Sequence, residues 1–395
     1  MKNHHLRPEL ARQIADELTG SNPLSDAPNG LFLAAPRRTG KTEFLRHDLR
    51  PELERRGCLV VYADLWEDDG LTPMALVAAQ IADAVRANLG VVAGFAKKIG
   101  LDKISVPGTL SLELGKIGKT DGMTLRQALD MLHQATQKPI VLMVDEAQHA
   151  LTTTEGDSLM RALKSARDQM KTTTTSNLML VMAGSHQDKL MRLLDTPSAA
   201  FWGSKVRQLA LLGDDYVATI AALVRGTRPE LGAVRQTVLV QAFELFAKRP
   251  QFFFNAVTDG LGQTGDGPSF EQQLLAYAQG QRARDRELFT QTFLQLEPLQ
   301  QAVLVRMLDE GDKFKPFDAA ALAYYGHYLS TYAQMGEQTD KQPTTGQVQN
   351  ALEALRKKDA RLLWKSLRGE YAPYDQAMLD WHGYLIAAKQ WPPRA

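Results

Sequence analysis

Four short runs in the first half of the chain are almost wholly apolar: Gly30–Ala35 (GLFLAA), Cys58–Leu65 (CLVVYADL), Pro139–Glu146 (PIVLMVDE) and Asn177–Ser185 (NLMLVMAGS). Each has the length of a strand and none alternates apolar with polar. Such strands must be covered on both faces, which is the condition of a parallel sheet. The intervening segments Lys41–Gly57, Thr72–Gly90 and Met123–Thr136 read as helices, which supply the covers. The pattern predicts an α/β fold with a parallel five-stranded sheet, Lys205–Leu211 (KVRQLAL) being the fifth strand. Thr72 caps its helix, Pro73 takes the first helical position and Gly90 closes it. Pro51 is expected to end or kink the helix that starts at Lys41.

The first strand runs into AAPRRTGKT, Ala34–Thr42. Its end fits the phosphate-loop pattern G-x-x-x-x-G-K-[ST] through Gly40, Lys41 and Thr42, with Ala35 where the pattern has its first glycine. A strand, a tight loop and a helix N-terminus together make an anion site from backbone N–H groups and the helix dipole. The loop and first turn that would hold a nucleotide are Ala35, Pro36, Arg37, Arg38, Thr39, Gly40, Lys41, Thr42 and Glu43. Lys41 is expected on the β- and γ-phosphates and Thr42 on Mg²⁺. Mg²⁺ needs few protein ligands, and Asp145, at the end of the third strand, is the carboxylate for it. Glu146 is placed to orient and deprotonate an attacking water. Ser185, with His186 beside it, ends the fourth strand as a polar group for the γ-phosphate. Phosphoryl transfer asks for little more than positioning and charge neutralisation. Alanine at position 35 costs roughly 1–2 kcal/mol if the backbone there is left-handed and almost nothing if it is extended.

The remaining composition bounds rather than directs. A length of 395 residues implies two or three domains. A formal charge of +1 creates no global field toward nucleic acid or membrane. The single cysteine, Cys58, excludes a disulfide framework and reads as a buried strand residue. The histidines lack metal-ligand spacing, no run approaches the roughly 18 apolar residues of a membrane span, and the first residues lack a signal-peptide core. A cytoplasmic protein with no membrane partner is expected. Asp102–Gly122 alternates and is glycine-rich, a hairpin or excursion with or without a partner role.

After Leu212 strand signals stop. Asp214–Gly226, Leu231–Lys248, Gln251–Gly260 and Phe270–Arg282 read as helices, the last leading into a charged hinge, GQRARDRE. Then Glu297–Glu310, Asp318–Tyr325 and Thr345–Lys357 precede two short runs about Arg368-Gly369, the winged-helix order. The expected division is an ATPase core over 1–212, a helical lid over 213–284 and a winged-helix domain over 285–395.

APRRTGKT, VYADLW, VLMVDEAQ and AGS resemble the AAA+ and STAND P-loop ATPases, in particular the archaeal-type, origin-recognition-like branch with a C-terminal winged helix. The resemblance runs from about Leu31 to Leu385, and Ala35 departs from it. It implies ATP and Mg²⁺ as cofactors, a homo-oligomer, and a nucleotide-driven switch acting on DNA or a protein partner. Arg37 and Arg38 are phosphate neighbours or solvated loop residues. Arg207, with Lys205 near it, stands where an arginine finger for a neighbouring subunit is found, though a surface charge on a strand explains it equally. Arg249 and Pro250 stand in the lid motif, and a helix break explains Pro250 as well. A slow or non-hydrolysing scaffold that recruits a nuclease or recombinase is the other function the resemblance admits.

The third helix of the winged-helix segment carries Gln347, Gln349 and Asn350 early. Arg356, Lys357, Lys358, Arg361, Lys365 and Arg368 follow, a patch suited to phosphates. The competing reading is a module that packs on protein. Trp364, Tyr371, Tyr374 and Trp381 read as core.

Overall fold

The four apolar runs and the fifth expected strand enter one parallel sheet. Its strands are β1 (Leu31–Ala34), β2 (Leu59–Asp64), β3 (Ile140–Asp145), β4 (Leu178–Gly184) and β5 (Val206–Gln208), in the order β2-β3-β4-β1-β5. The chain is described here from a computed structural model covering residues 5–20, 25, 27–68, 70–98, 115–118, 122–172, 176–185, 187–194, 199–231, 234–262, 269–332, 342–357, 362–365, 371–375 and 377–394. It forms two units, Met1–Leu212 and Gly213–Ala395. In the first, β1, β3 and β4 are buried along their whole length, as strands covered on both faces must be. The two edge strands, β2 and β5, are partly exposed, and β5 can carry Arg207.

Register pairs Ala34 with Gly184, Asp64 with Asp145 and Leu33 with Arg207. Because every strand is parallel, the loop after Ala34, the pair Asp145–Glu146 and Ser185 emerge along one edge. The chain leaves β1 toward β2 on one side and later crosses to β5 on the other. Ligands bind where successive crossovers diverge in this way.

One face of the sheet is covered by helix α1 (Pro8–Leu18), with Ala11, Ile14, Ala15 and Leu18 buried together with Phe44, Leu45, Leu49 and Leu53. Those four lie on the helical run after the loop: α2 (Lys41–Phe44), a π turn (Leu45–Leu49) and α3 (Arg50–Arg55). Pro51 does not break it. The Arg50 N–H reaches back five residues to the Leu45 carbonyl, so one widened turn absorbs the proline. Helix α4 (Pro73–Ala87) is capped by Thr72, whose hydroxyl accepts from the Ala75 N–H at 3.2 Å. It stops short of Gly90, because the Asn88 amide takes the Ala84 carbonyl at 2.8 Å. Gly90 instead falls within α5 (Leu89–Lys98), which departs at 83°. Helices α6 (Leu125–Thr136), α7 (Thr154–Gln169) and the short α8 (Gln187–Met191) complete the unit. Of the expected hairpin Asp102–Gly122 only residues 115–118, a turn, and Gly122 lie among the described residues. Cys58 is buried, as expected.

The second unit is helical apart from one hairpin. Helices α9 (Asp214–Thr227), α10 (Gln236–Leu245) and α11 (Pro250–Gly262) share an aromatic core in which the Tyr216, Phe243 and Phe253 rings lie 5.2–6.2 Å apart. Helix α12 (Phe270–Leu294) corrects the expected hinge: it runs unbroken through the charged stretch. Gln281 donates to Asp285 one turn on, at 2.8 Å, and Arg284 to Gln281 at 2.9 Å, a surface ladder of good helix formers. Then come α13 (Pro298–Glu310), α14 (Ala319–Tyr332), α15 (Thr345–Arg356), the antiparallel pair β6 (Leu363–Lys365) and β7 (Tyr371–Pro373), and α16 (Ala377–Ala387). This is the winged-helix order with one further helix. Tyr371 and Trp381 are in its core with Leu304, Tyr325 and Leu352. Among the described residues no single helix is long and apolar enough to cross a membrane.

Candidate nucleotide site

The loop begins one residue later than its motif implies. The Ala35 N–H donates to the Gly184 carbonyl at 3.1 Å, which continues the β1–β4 ladder past the strand end. Among the described residues, positive φ belongs to few non-glycines, Arg38 (63°) and Glu146 (51°) among them, and Ala35 is not one. No glycine is therefore needed at position 35. The left-handed turn falls on Arg38 and Gly40 (φ 90°) instead. The buried Thr39 hydroxyl closes the turn by donating to the Pro36 carbonyl at 2.6 Å. Gly40 is the N-cap residue and brings no side-chain cap. The first helical N–H groups thus stay directed at the loop.

A residue that no motif marks holds this loop. The Gly40 carbonyl accepts from the Phe44 N–H at 2.9 Å and from Arg7 Nη2 at 3.1 Å. Across a planar trans peptide, the Lys41 N–H must then point the opposite way, into the loop. Arg7 also donates through Nη1 to the Ala210 carbonyl at 2.9 Å and through its backbone N–H to Asp48 at 2.7 Å. Its guanidinium lies 4.6 Å from the Phe44 ring centroid.

Inside the loop is a buried charge cluster. Lys41 Nζ pairs with Asp145 Oδ1 and lies 3.2 Å from Glu146 Oε1. Asp145, fully buried, also accepts from the Thr42 hydroxyl at 2.6 Å, the Tyr62 hydroxyl at 3.1 Å and the Glu146 N–H at 2.9 Å. Glu146 accepts from Ser185 Oγ and Gln148 Nε2. Its left-handed backbone turns the side chain toward them. Burial works to lower the Lys41 pKa, but Asp145 and Glu146 outweigh it and raise it. Burial pushes the Glu146 carboxyl up, yet Lys41 and the donors Ser185 and Gln148 hold it at about 2. Burial, then the charge of Asp145, drives the Tyr62 pKa up. Gly184 leaves room for this network, since a Cβ there would meet Gln148 Oε1 at 2.4 Å.

The remaining sequence candidates fall elsewhere. Arg37 lies over the Trp66 ring at 4.1 Å, and Trp66 stacks on His149 at 5.8 Å. Arg38 is exposed. Glu43 is half-exposed, 3.6 Å from His47. The Arg207 guanidinium is paired with Glu17 of α1, and the cluster around Asp145 is built without it. His186 lies outside the described residues. In the second unit Pro250 opens α11, with its carbonyl accepting from the Tyr216 hydroxyl at 3.3 Å, and Arg249 Nη1 is 3.5 Å from Asp285. Of the basic patch, Lys358, Arg361 and Arg368 lie outside the described residues. Lys357 is exposed, and Lys365 is 5.4 Å from the Tyr371 ring centroid. Glu353, which precedes the patch, takes Arg356 through both oxygens at 2.7 and 2.9 Å and lies 3.9 Å from Lys365. The patch is thus less positive than a count from Arg356 onward suggests. Gln347 is used in the Thr344 capping box and Gln349 in a bond to Glu353, while Asn350 is exposed.

Loop, helix and acidic strand end on a five-stranded parallel sheet are the arrangement of the P-loop nucleotide-binding fold. No family model matches the chain, and no curated protein matches it. Solved structures are similar over nearly the whole chain. One is the Aeropyrum pernix ORC1 protein in complex with DNA, with 14% identity over 98% of this chain and 94% of that one and a TM-score of 0.42. Another is the A. pernix ORC2 protein in ADPNP–ADP complexes, with 12% identity, 97% and 93% coverage and a TM-score of 0.48. A third is Cdc6p from Pyrobaculum aerophilum, with 14% identity, 97% and 95% coverage and a TM-score of 0.30.

Proposed function

We propose that the chain binds MgATP at Ala35–Thr42 and hydrolyses it, as an AAA+-like switch. Its nucleotide state would govern self-assembly and the binding of DNA or a partner through the winged helix. The observation that carries this reading is the convergence of Lys41, Thr42, Asp145, Glu146 and Ser185 at one sheet edge, beside a helix start without a side-chain cap. The residues fit the cofactors. Among the described residues no group of three or more His, Cys, Asp or Glu could hold a metal, but Mg²⁺ between phosphates and waters needs only a hydroxyl and a nearby carboxylate. Thr42 and Asp145 are such a pair, 2.6 Å apart. Bound Mg²⁺ supplies charge neutralisation for the phosphate oxygens.

Lys41 would exchange its carboxylate partners for phosphate oxygens, and the loop N–H groups would bind the β-phosphate. Glu146, freed of Lys41 and still held by Ser185 and Gln148, would orient water and accept its proton. Arg207 would serve a neighbouring subunit only after leaving Glu17. Arg249 and Pro250 would act from a lid over 213–284, and Lys357 and Lys365 with Arg356 would meet DNA from a winged-helix domain over 285–395. A second reading, a slow or non-hydrolysing scaffold that recruits a nuclease or recombinase, is favoured by one observation: a carboxyl held at about 2 is a weak base. Glu146→Gln separates the two. The switch predicts ATP binding retained and phosphate release slowed by roughly 10²–10⁴-fold. Wild type that binds ATP but releases no phosphate would leave the scaffold, and wild type that binds none would end both.

A further inference from the structure

We infer that a cleft in the second unit, between α12 and α16, is a second anchor for the phosphodiester backbone of DNA. The inference extends the DNA-binding reading to another surface of the winged-helix region and rests on that reading. The cleft has a volume of about 860 Å³, and among the described residues its wall carries Arg286, Lys389 and Arg394 against a single carboxylate side chain, Glu287. Arg286 is half-buried and lies flat over Tyr384, 3.7 Å from the ring centroid. Its Nε is buried without a hydrogen-bond partner. A guanidinium N–H shut off from water without an acceptor is costly unless an anion completes it. Among the described ion pairs neither Arg286 nor Lys389 takes part.

The cleft wall is also held by contacts of its own. Trp391 forms its far wall and is fixed by a bond from its indole N–H to Asp309 at 2.9 Å. Its ring packs on His382 and Trp381, at 4.4 and 5.4 Å between centroids. Lys389 is held in a left-handed turn (φ 57°), with its N–H on the Ile386 carbonyl at 3.0 Å. Arg286, already packed on Tyr384, loses little freedom on binding. The cleft is open rather than enclosing, and its positive charge is spread along a wall with aromatic rings. That suits a polymer passing through, whose phosphates are met by charge and whose sequence is not read.

The test is anisotropy of a short labelled DNA duplex with the full chain at about 50 and 200 mM salt. Arg286→Gln keeps the stem on Tyr384, and Lys389→Asn keeps a residue that tolerates the left-handed turn. Unchanged circular-dichroism melts confirm that both fold. The double variant is expected to bind roughly tenfold or more weakly at low salt, with the slope of log K against log salt reduced by about 2. Lys357→Gln/Lys365→Gln is measured in parallel. If only this second variant weakens binding, the cleft inference is overturned and the hairpin reading stands. If only the cleft variant does, the reverse holds. Wild type that binds no DNA overturns both. Inorganic phosphate at matched ionic strength should leave wild-type binding unchanged, whereas displacement of the duplex would make the cleft a site for the free anion and overturn the inference.

Discussion

Lys41→Met tests the buried cluster directly. The substitution keeps the stem and removes an ammonium that lies against Asp145 and 3.2 Å from Glu146. Two buried carboxylates on consecutive residues then face each other with only neutral donors: Thr42, Tyr62, Ser185, Gln148 and one backbone N–H. Removing one partner of a buried ion pair costs about 3–5 kcal/mol. Here two anions lose the same cation, and the retained hydrogen bonds offset part of that, so the middle of the range is expected. For a unit of about 200 residues this lowers Tm by roughly 6–20 °C. The pH dependence is the sharper signature. In the wild type, Glu146 sits at about 2, below its unfolded 4.5. Its contribution is present above pH 4.5 and is lost as pH falls toward 2. Lys41 is raised, so its contribution is present below its unfolded 10.5 and is lost as pH rises through the folded value. Without Lys41, two of the influences that hold Glu146 down are lost, and burial pushes its pKa up from about 2. Acid then relieves the variant at a pH where the wild type still keeps the Glu146 contribution. Urea unfolding at pH 7 and near pH 4.5 should show a large gap that narrows in acid. A gap under about 1 kcal/mol at pH 7, or one that widens in acid, would refute the reasoning.

Two further substitutions address the loop. Ala35→Gly should not improve ATP affinity and should lower stability by about 0.5–1 kcal/mol, because Ala35 is a ladder residue that gains nothing from glycine's freedom; a rise in affinity by calorimetry would show that the left-handed turn begins there after all. Arg7→Lys keeps the charge but cannot span the Gly40 and Ala210 carbonyls. ATP affinity should fall roughly 5–30-fold, about 1–2 kcal/mol, and unchanged affinity would remove Arg7 from the site.

The sheet was legible because strands buried on both faces leave an unbroken apolar run, and β1 to β4 sit where those runs do. The acid pair and Lys41 were legible because their chemistry needs adjacency in sequence. What escaped is what only tertiary packing places. Tyr62 reads as one more strand residue until the folded sheet lets its hydroxyl reach Asp145. Gln148 gains meaning from its bond to Glu146, and Gly184 from the space it leaves for Gln148. Arg7 lies in a segment whose helix is amphipathic but carries no motif. The charged stretch at Gly280–Glu287 suggested a hinge, yet its side chains pair one turn apart and extend the helix. Glu353 lies upstream of the basic run and partly neutralises it.

Ala35 and the acid pair are consequences of the same register. Pairing Ala34 with Gly184 sets Ser185 just beyond the strand end, where it reaches Glu146. Pairing β3 with β4 from Ile140 and Leu178 onward brings Asp145 to the edge with its side chain toward Lys41 and Thr42. A slip of one residue in either ladder would send every side chain to the opposite face and take Asp145 away from both. The bond from the Ala35 N–H to the Gly184 carbonyl lengthens the β1–β4 ladder by one step and so guards the register that the site depends on. Glycine at 35 would permit a sharper turn but hold that step less firmly. With alanine, the left-handed turn moves to Arg38 and Gly40, next to the peptide that Arg7 orients. The departure from the motif therefore leaves the loop peptides in place, and under the proposed function any effect on turnover would have to arise at Glu146, through how tightly Lys41, Ser185 and Gln148 hold it.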